Sequence, residues 1–163
     1  MGLNSVNTFR RVLLVAIASL VFLGDQVTKA IVEARIPDQD TICVVPHFFN
    51  LIHTRNAGAA FGLFSDSPAP WKTFVLIVVS SLLLVVVLAM MWRGRQLRWG
   101  TGVAMALILG GALSNLFDRI RQGRVVDFLD VYWRAYHWPT FNLADSAIVV
   151  GAGLLVVQVL FGE

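Results

Sequence analysis

The side chains able to do chemistry gather in five short runs. They are Asp25-Gln26-Val27-Thr28-Lys29, Asn56-Ala57-Gly58-Ala59-Ala60-Phe61-Gly62, Asn115-Leu116-Phe117-Asp118-Arg119, Val125-Val126-Asp127-Phe128-Leu129-Asp130 and Asn142-Leu143-Ala144-Asp145. Helical spacing sorts their roles. Asp25 and Lys29 are four apart and pair on one helix face, as Asn115 and Arg119 also can. Asn142 has the type and place of an N-cap, which puts Asp145 in a first helical turn, where the helix dipole favours a carboxylate. Asp127 sits between apolar neighbours. If its segment folds back toward Asp145, two carboxylates share one site of low dielectric. They cannot both ionise readily, so the pair titrates as a unit and keeps one proton near its working pH. One then activates water while the other polarises a carbonyl, the division of labour in aspartic proteolysis. Two Asp residues alone are a weak signal; the Asn and Arg residues aimed at the same spot strengthen it.

The elements that must position these groups are apolar. The chain has 163 residues, 57% of them hydrophobic and 14% charged, against roughly 45–50% and about 25% in an ordinary soluble domain. That composition excludes a soluble globular protein, a disordered chain and a nucleic-acid module. A net charge of +3 spread along the chain is no basic patch. The single cysteine, Cys43, excludes an internal disulfide. Thr73 to Trp92, Trp99 to Phe117 and Ser146 to Gly162 carry no charge, and such runs at 1.5 Å per residue approach the roughly 30 Å hydrocarbon core. Val12 to Gly24 is shorter, but its apolar pattern resumes beyond Asp25. A signal-peptide reading of this stretch lacks a small-x-small cleavage site. The expectation is one integral membrane domain over residues 1–163, a bundle of four transmembrane helices spanning about 12–32, 73–92, 99–117 and 142–161.

Between the second and third spans, Arg93-Gly94-Arg95-Gln96-Leu97-Arg98 is basic and has no acid. This marks a cytoplasmic loop and places both termini in the cytoplasm. Arg119, Arg121, Arg124 and Arg134 fall on the opposite side, some of them read as buried ion partners. Two outer segments remain, about 33–71 and 118–140. The first contains strand-like runs at Thr41–Val45 and Phe48–Ile52, bounded by Pro37, Pro46 and Pro68.

Read together, the five runs and Gly110-Gly111-Ala112 resemble the bacterial lipoprotein signal peptidases, or type II signal peptidases. The resemblance spans about residues 12–161. It implies a mainly helical membrane fold, with a small extracytoplasmic β-cradle and a surface helix beside the four spans. It further implies an intramembrane aspartic peptidase of the bacterial inner membrane, active near the outer face. Its substrates would be diacylglyceryl-modified prolipoproteins, cut just before the lipidated Cys. Asp127 and Asp145 would be catalytic, and Asn56, Asn115, Arg119 and Asn142 would orient substrate and dyad. Asp25, Lys29 and Gly58 would support the site, with Asp118 a structural partner for a nearby Arg. No metal or organic cofactor is implied, the partners are substrate and membrane lipid with no nucleic acid, and the chain would act as a monomer. Ser114 departs from the Gly usual in the family and is read as helix packing.

Blander readings stand beside these. Asp127 and Asp145 could be a loop residue and a helix cap, and Asp130 a solvated neighbour one turn away if its stretch is helical. His47, His53 and His137 show no ligand spacing. Cys43 lacks a partner that would activate it. Trp71, Trp92, Trp99, Trp133 and Trp138 lie near span ends as an aromatic belt. Gly110, Gly111, Gly151 and Gly153 read as helix packing. A small proton-coupled carrier would also place ionisable groups in a membrane, but no inverted repeat is present and the groups sit at one end of the spans. A non-catalytic scaffold would tolerate either Asp→Asn change.

Overall fold

A computed structural model describes residues 3–57, 70–93 and 98–161. Among the described residues, four helices are long and apolar enough to cross a membrane: α1 (Leu3–Arg35), α2 (Pro70–Arg93), α3 (Trp99–Gln122) and α4 (Leu143–Phe161). α1 runs past both expected ends, and Asp25 does not interrupt it because the carboxylate is fully buried among partners. α3 is the axis, packing on α1, α2 and α4. Close approach needs bare backbone there. A Cβ on Gly110 would lie 2.5 Å from the Ala18 carbonyl oxygen, and one on Gly111 would collide with that of Ala144. Gly153, expected to pack in the same way, has nothing within 4 Å. The outward faces of α1, α2 and α4 present Leu, Val and Phe, as lipid-facing surfaces do.

The described residues also form the strands β1 (Thr41–Val45), β2 (Phe49–Asn56), β3 (Val125–Trp133) and β4 (Tyr136–His137), in one antiparallel sheet of order β1-β2-β3-β4. β1 matches the strand-like run read from sequence, and β2 continues beyond Ile52 to Asn56. β3 corrects the reading of residues 118–140 as a loop. Its first four residues are buried, so it lacks the polar–apolar alternation that marks a half-exposed strand. Gly123, at φ +70°, ends α3 in the left-handed conformation and turns the chain straight into β3. Val126 and Phe128 of β3 then pack on Val32 and Ile36 of α1, docking the sheet on the bundle. The surface helix implied by the resemblance is not among the described residues. Trp71, Trp99, Trp133 and Trp138 are exposed, as an aromatic belt requires.

Candidate active site

The site is built on the start of α4. Asn142 precedes the helix, and its Oδ1 accepts the Asp145 backbone N–H at 2.9 Å, while Asp145 Oδ2 accepts the Asn142 N–H at 3.3 Å. This is a reciprocal capping box, with Asn and Asp in the roles of Ser and Glu. The N–H between them, that of Ala144, donates to Asp25 Oδ1 at 2.9 Å, so α1 occupies another of the open donors of α4.

β3 delivers the second carboxylate. The N–H groups of Phe128 and Leu129 both reach the Phe141 carbonyl, and the Phe141 N–H returns to Leu129. The strand holding Asp127 is therefore bonded to the residue just before Asn142. Asn142 Nδ2 donates to Asp127 Oδ1 at 2.7 Å, and Asn56 Nδ2 donates to Oδ2 at 2.9 Å. One amide side chain thus touches Asp127 and caps together with Asp145. Asn115 completes the ring: its Nδ2 donates to Asp145 Oδ1 at 2.8 Å, and its Oδ1 accepts from Asn142 at 3.3 Å and from Lys29 Nζ at 3.0 Å.

Asp127 is almost wholly buried, and its carboxyl is pushed up to about 7: loss of solvation, and after it the neighbouring charge of Asp145, raise it, while Asn56, Asn142 and Lys29 pull the other way. A carboxyl poised there can be neutral or ionised at working pH, as acid–base exchange with a water molecule requires.

Behind this ring lies a charged layer. Lys29 Nζ pairs with Asp25 Oδ2 and with Asp118 Oδ2, all three groups being buried. Ser114 Oγ donates to Asp25 at 2.7 Å, and Gln26 Nε2 donates to Ser114 Oγ at 2.9 Å and to Asp118 Oδ1 at 2.7 Å. Removing one member of such a layer would strand another as an uncompensated buried charge.

The structure therefore brings together Asn56, Asn115, Asp127, Asn142 and Asp145, with Asp25 and Lys29 beneath. Arg119 donates to the Asn115 carbonyl at 3.3 Å, and its guanidinium lies within electrostatic reach of Asp145, Asp127 and Asp118. Gly58 and the rest of its loop lie outside the described residues. Asp118 is paired with Lys29 and accepts from Gln26, because it lies on the α3 face that meets α1, and the Arg119 guanidinium is within electrostatic reach of it as well. One reading is corrected. Asp130 is neither solvated nor one turn from Asp127: β3 is extended, so the two point to opposite faces. Asp130 is buried, accepting from Asn50 Nδ2 at 2.9 Å and lying 2.8 Å from His137 Nδ1. Gln26 and Ser114 were missed as polar members. Their spacing held the signal, since Gln26 is three residues from Lys29 and Ser114 four from Asp118. Among the described residues, no three His, Cys, Asp or Glu side chains converge as metal ligands would.

The chain is similar to known proteins along nearly its whole length. The family model for signal peptidase (SPase) II matches residues 17–161. A lipoprotein signal peptidase of Solibacter usitatus is 45% identical over 144 residues, 88% of each chain. One from Desulforapulum autotrophicum is 41% identical over 158 residues, 97% of this chain and 98% of that one. A bacterial membrane enzyme solved by the in meso method superposes with a TM-score of 0.81 at 34% identity, covering 90% of this chain and 87% of its own. A second such structure superposes at 0.78 with 32% identity, covering 92% and 94%.

Proposed function

Since the chain belongs to the signal peptidase II family, we propose that Asp127 and Asp145 are the catalytic pair with which it cuts prolipoproteins just before a diacylglyceryl-modified cysteine. It is a membrane-embedded protease that removes signal peptides from lipoproteins. The observation that carries the assignment of the pair is Asn142, whose one side chain donates to Asp127 and accepts from the Asp145 backbone.

Asp127 is the member that holds the proton, because burial and the adjacent Asp145 favour its neutral form. Asp145 takes a proton from water as the water oxygen attacks the scissile carbonyl carbon. Asp127 gives its proton to the carbonyl oxygen, producing a neutral tetrahedral diol. Collapse breaks the C–N bond: one hydroxyl returns its proton to Asp127 as the carbonyl re-forms, and Asp145 protonates the departing amine. The pair regains its starting state, leaving a carboxyl on the signal peptide and a free amino group on the lipidated cysteine. Asn56, Asn115 and Arg119 hold the dyad and the substrate backbone in this geometry, and Gly58 supports the site.

The substrate's acyl chains stay in the bilayer, so the reacting bond must meet the dyad where the helices emerge. The basic segment from Arg93 to Arg98 sets that end at the outer face of the inner membrane, with both termini cytoplasmic. The protein acts as a monomer, with membrane lipid around it. Purified protein in lipid, given a diacylglyceryl-modified prolipoprotein and its unmodified form, is expected to cut only the former. Equal cutting of both, or of neither, would overturn the substrate reading.

A further inference from the structure

β2 contains an irregularity that decides which way Asn56 points. Asn50 lies opposite Asp130 and Leu51 opposite Leu129, but the next pairs are Thr54 with Asp127 and Asn56 with Val125. β2 therefore spends two residues, Ile52 and His53, where β3 spends only Phe128, which is a β-bulge. Side chains alternate with a strict period of two, so one extra residue exchanges the two faces for everything beyond it. Before the bulge Asn50 shares the face of Asp130; after it, Thr54 and Asn56 share the face of Asp127. In a regular strand Asn56 would lie on the face of Asn50, turned away from the dyad.

The bulge is tied to the end of α1. His53 is 2% exposed, and its Nδ1 lies 2.8 Å from the carbonyl oxygen of Ile36, one of the carbonyls left open where the helix stops. Its backbone N–H donates to the Asp40 carbonyl at 3.2 Å, and its own carbonyl accepts from Gln39 at 2.9 Å. Gln39 turns there at φ +66°. A carbonyl cannot donate, so Nδ1 carries a proton, and in the neutral ring Nε2 is then bare; among the described residues that buried nitrogen has no hydrogen-bond partner. A bare buried nitrogen costs stability, so packing alone does not account for an imidazole here.

We propose that His53 is a positioning residue: by capping Ile36 it holds the β2 bulge that turns Asn56 onto Asp127. The proposal rests on the reading of Asp127 as a catalytic carboxyl, and it adds a link from the outer end of α1 to that carboxyl.

The first test uses wild-type protein in nanodiscs with ¹⁵N-labelled histidine. The His53 resonances should show a protonated Nδ1 and an unprotonated Nε2; the opposite tautomer would overturn the proposal, and this readout does not depend on turnover. The second test is kinetic. His53→Leu should lose at least about tenfold in kcat with KM changed far less. Its alkaline pH limb should move up as that of Asn56→Ala does, since Asn56 is a donor that holds the Asp127 carboxyl down. The double variant should be no worse than Asn56→Ala alone, and His53→Asn, whose amide N–H can replace Nδ1–H, should restore wild-type behaviour. A wild-type profile in His53→Leu, additive losses in the double variant, or a failed rescue by Asn would each sink it. If His53→Leu does not fold, the tautomer and the Asn variant decide the matter. Inert wild-type protein with the expected tautomer would instead count against the functional reading.

Discussion

The Asp25 carboxylate accepts the backbone N–H of Ala144 across 2.9 Å, joining residues 119 positions apart in sequence. The same carboxylate pairs with Lys29, so the first helix holds in place the turn of α4 that carries Asp145. Asp25→Ala leaves Lys29 with Asp118 as its remaining ion-pair partner and opens an amide at the start of α4. Breaking a buried pair typically costs about 3–5 kcal/mol. The remaining Asp118 contact puts the expected loss near the lower figure, read by reversible unfolding in SDS. A loss within about 0.5 kcal/mol, the scale of an ordinary surface substitution, would show that the layer is not coupled as described.

Gly111 faces the Ala144 carbonyl so closely that a Cβ has no room, whereas Gly153 faces open space. Gly111→Ala should therefore destabilise the protein by about 1–3 kcal/mol and lower kcat, because the displaced turn carries Asp145. Gly153→Ala should leave both thermal stability and turnover near wild type. Measuring the two side by side separates the gain in helix propensity that alanine brings at either site from the loss of close approach at Gly111; equal effects would contradict the packing account.

Asp127 should titrate near 7, well above its ordinary 3.8. In the proposed mechanism its neutral form is the proton donor, so kcat should fall as pH rises through that value. The folded state binds this proton more tightly than the unfolded chain does. Its contribution to stability is thus complete below about 3.8 and lost as pH rises through about 7. A ¹³C-carboxyl titration should find the midpoint, and Asp145→Asn should lower it by removing the neighbouring charge. An unchanged midpoint in that variant would mean that the two carboxyls do not interact.

Cys43 is the one cysteine of the chain and is exposed on β1. The proposed orientation puts the sheet on the outer side, so a membrane-impermeant maleimide should label Cys43 in intact spheroplasts. Labelling that needs permeabilised cells would reverse the orientation.

The helices were legible because uninterrupted apolar runs admit few other structures in lipid. β1 was legible from its Val and Ile content between prolines. β3 was not: it is buried on both faces and carries two acids, so it shows neither alternation nor an apolar run. The polar runs contain Asn56, Asn115, Asp127, Asn142 and Asp145, which the structure brings together, and the capping relation of Asn142 and Asp145 followed from their spacing. The meeting of Asp127 with Asn142 did not, since it depends on β3 bonding to Phe141, a pairing between segments that local spacing does not encode. The resemblance implied an Arg partner for Asp118; its pairing with Lys29 of α1 depends on how the helices pack, which local spacing does not encode. Ser114 was read as packing because it stands where glycine is usual in the family, yet its hydroxyl joins Gln26 to Asp25. The face swap at Ile52–His53 has no local signature, since a bulge becomes visible only against its partner strand.

The most direct test of the central claim is cleavage of a diacylglyceryl-modified prolipoprotein by wild type, Asp127→Asn and Asp145→Asn, each checked for folding. Each Asn variant keeps the size of the side chain and removes its ionisation. Both should lose at least about 10³-fold in kcat while remaining folded. Near-normal turnover by either folded variant would contradict a two-carboxylate mechanism at this site.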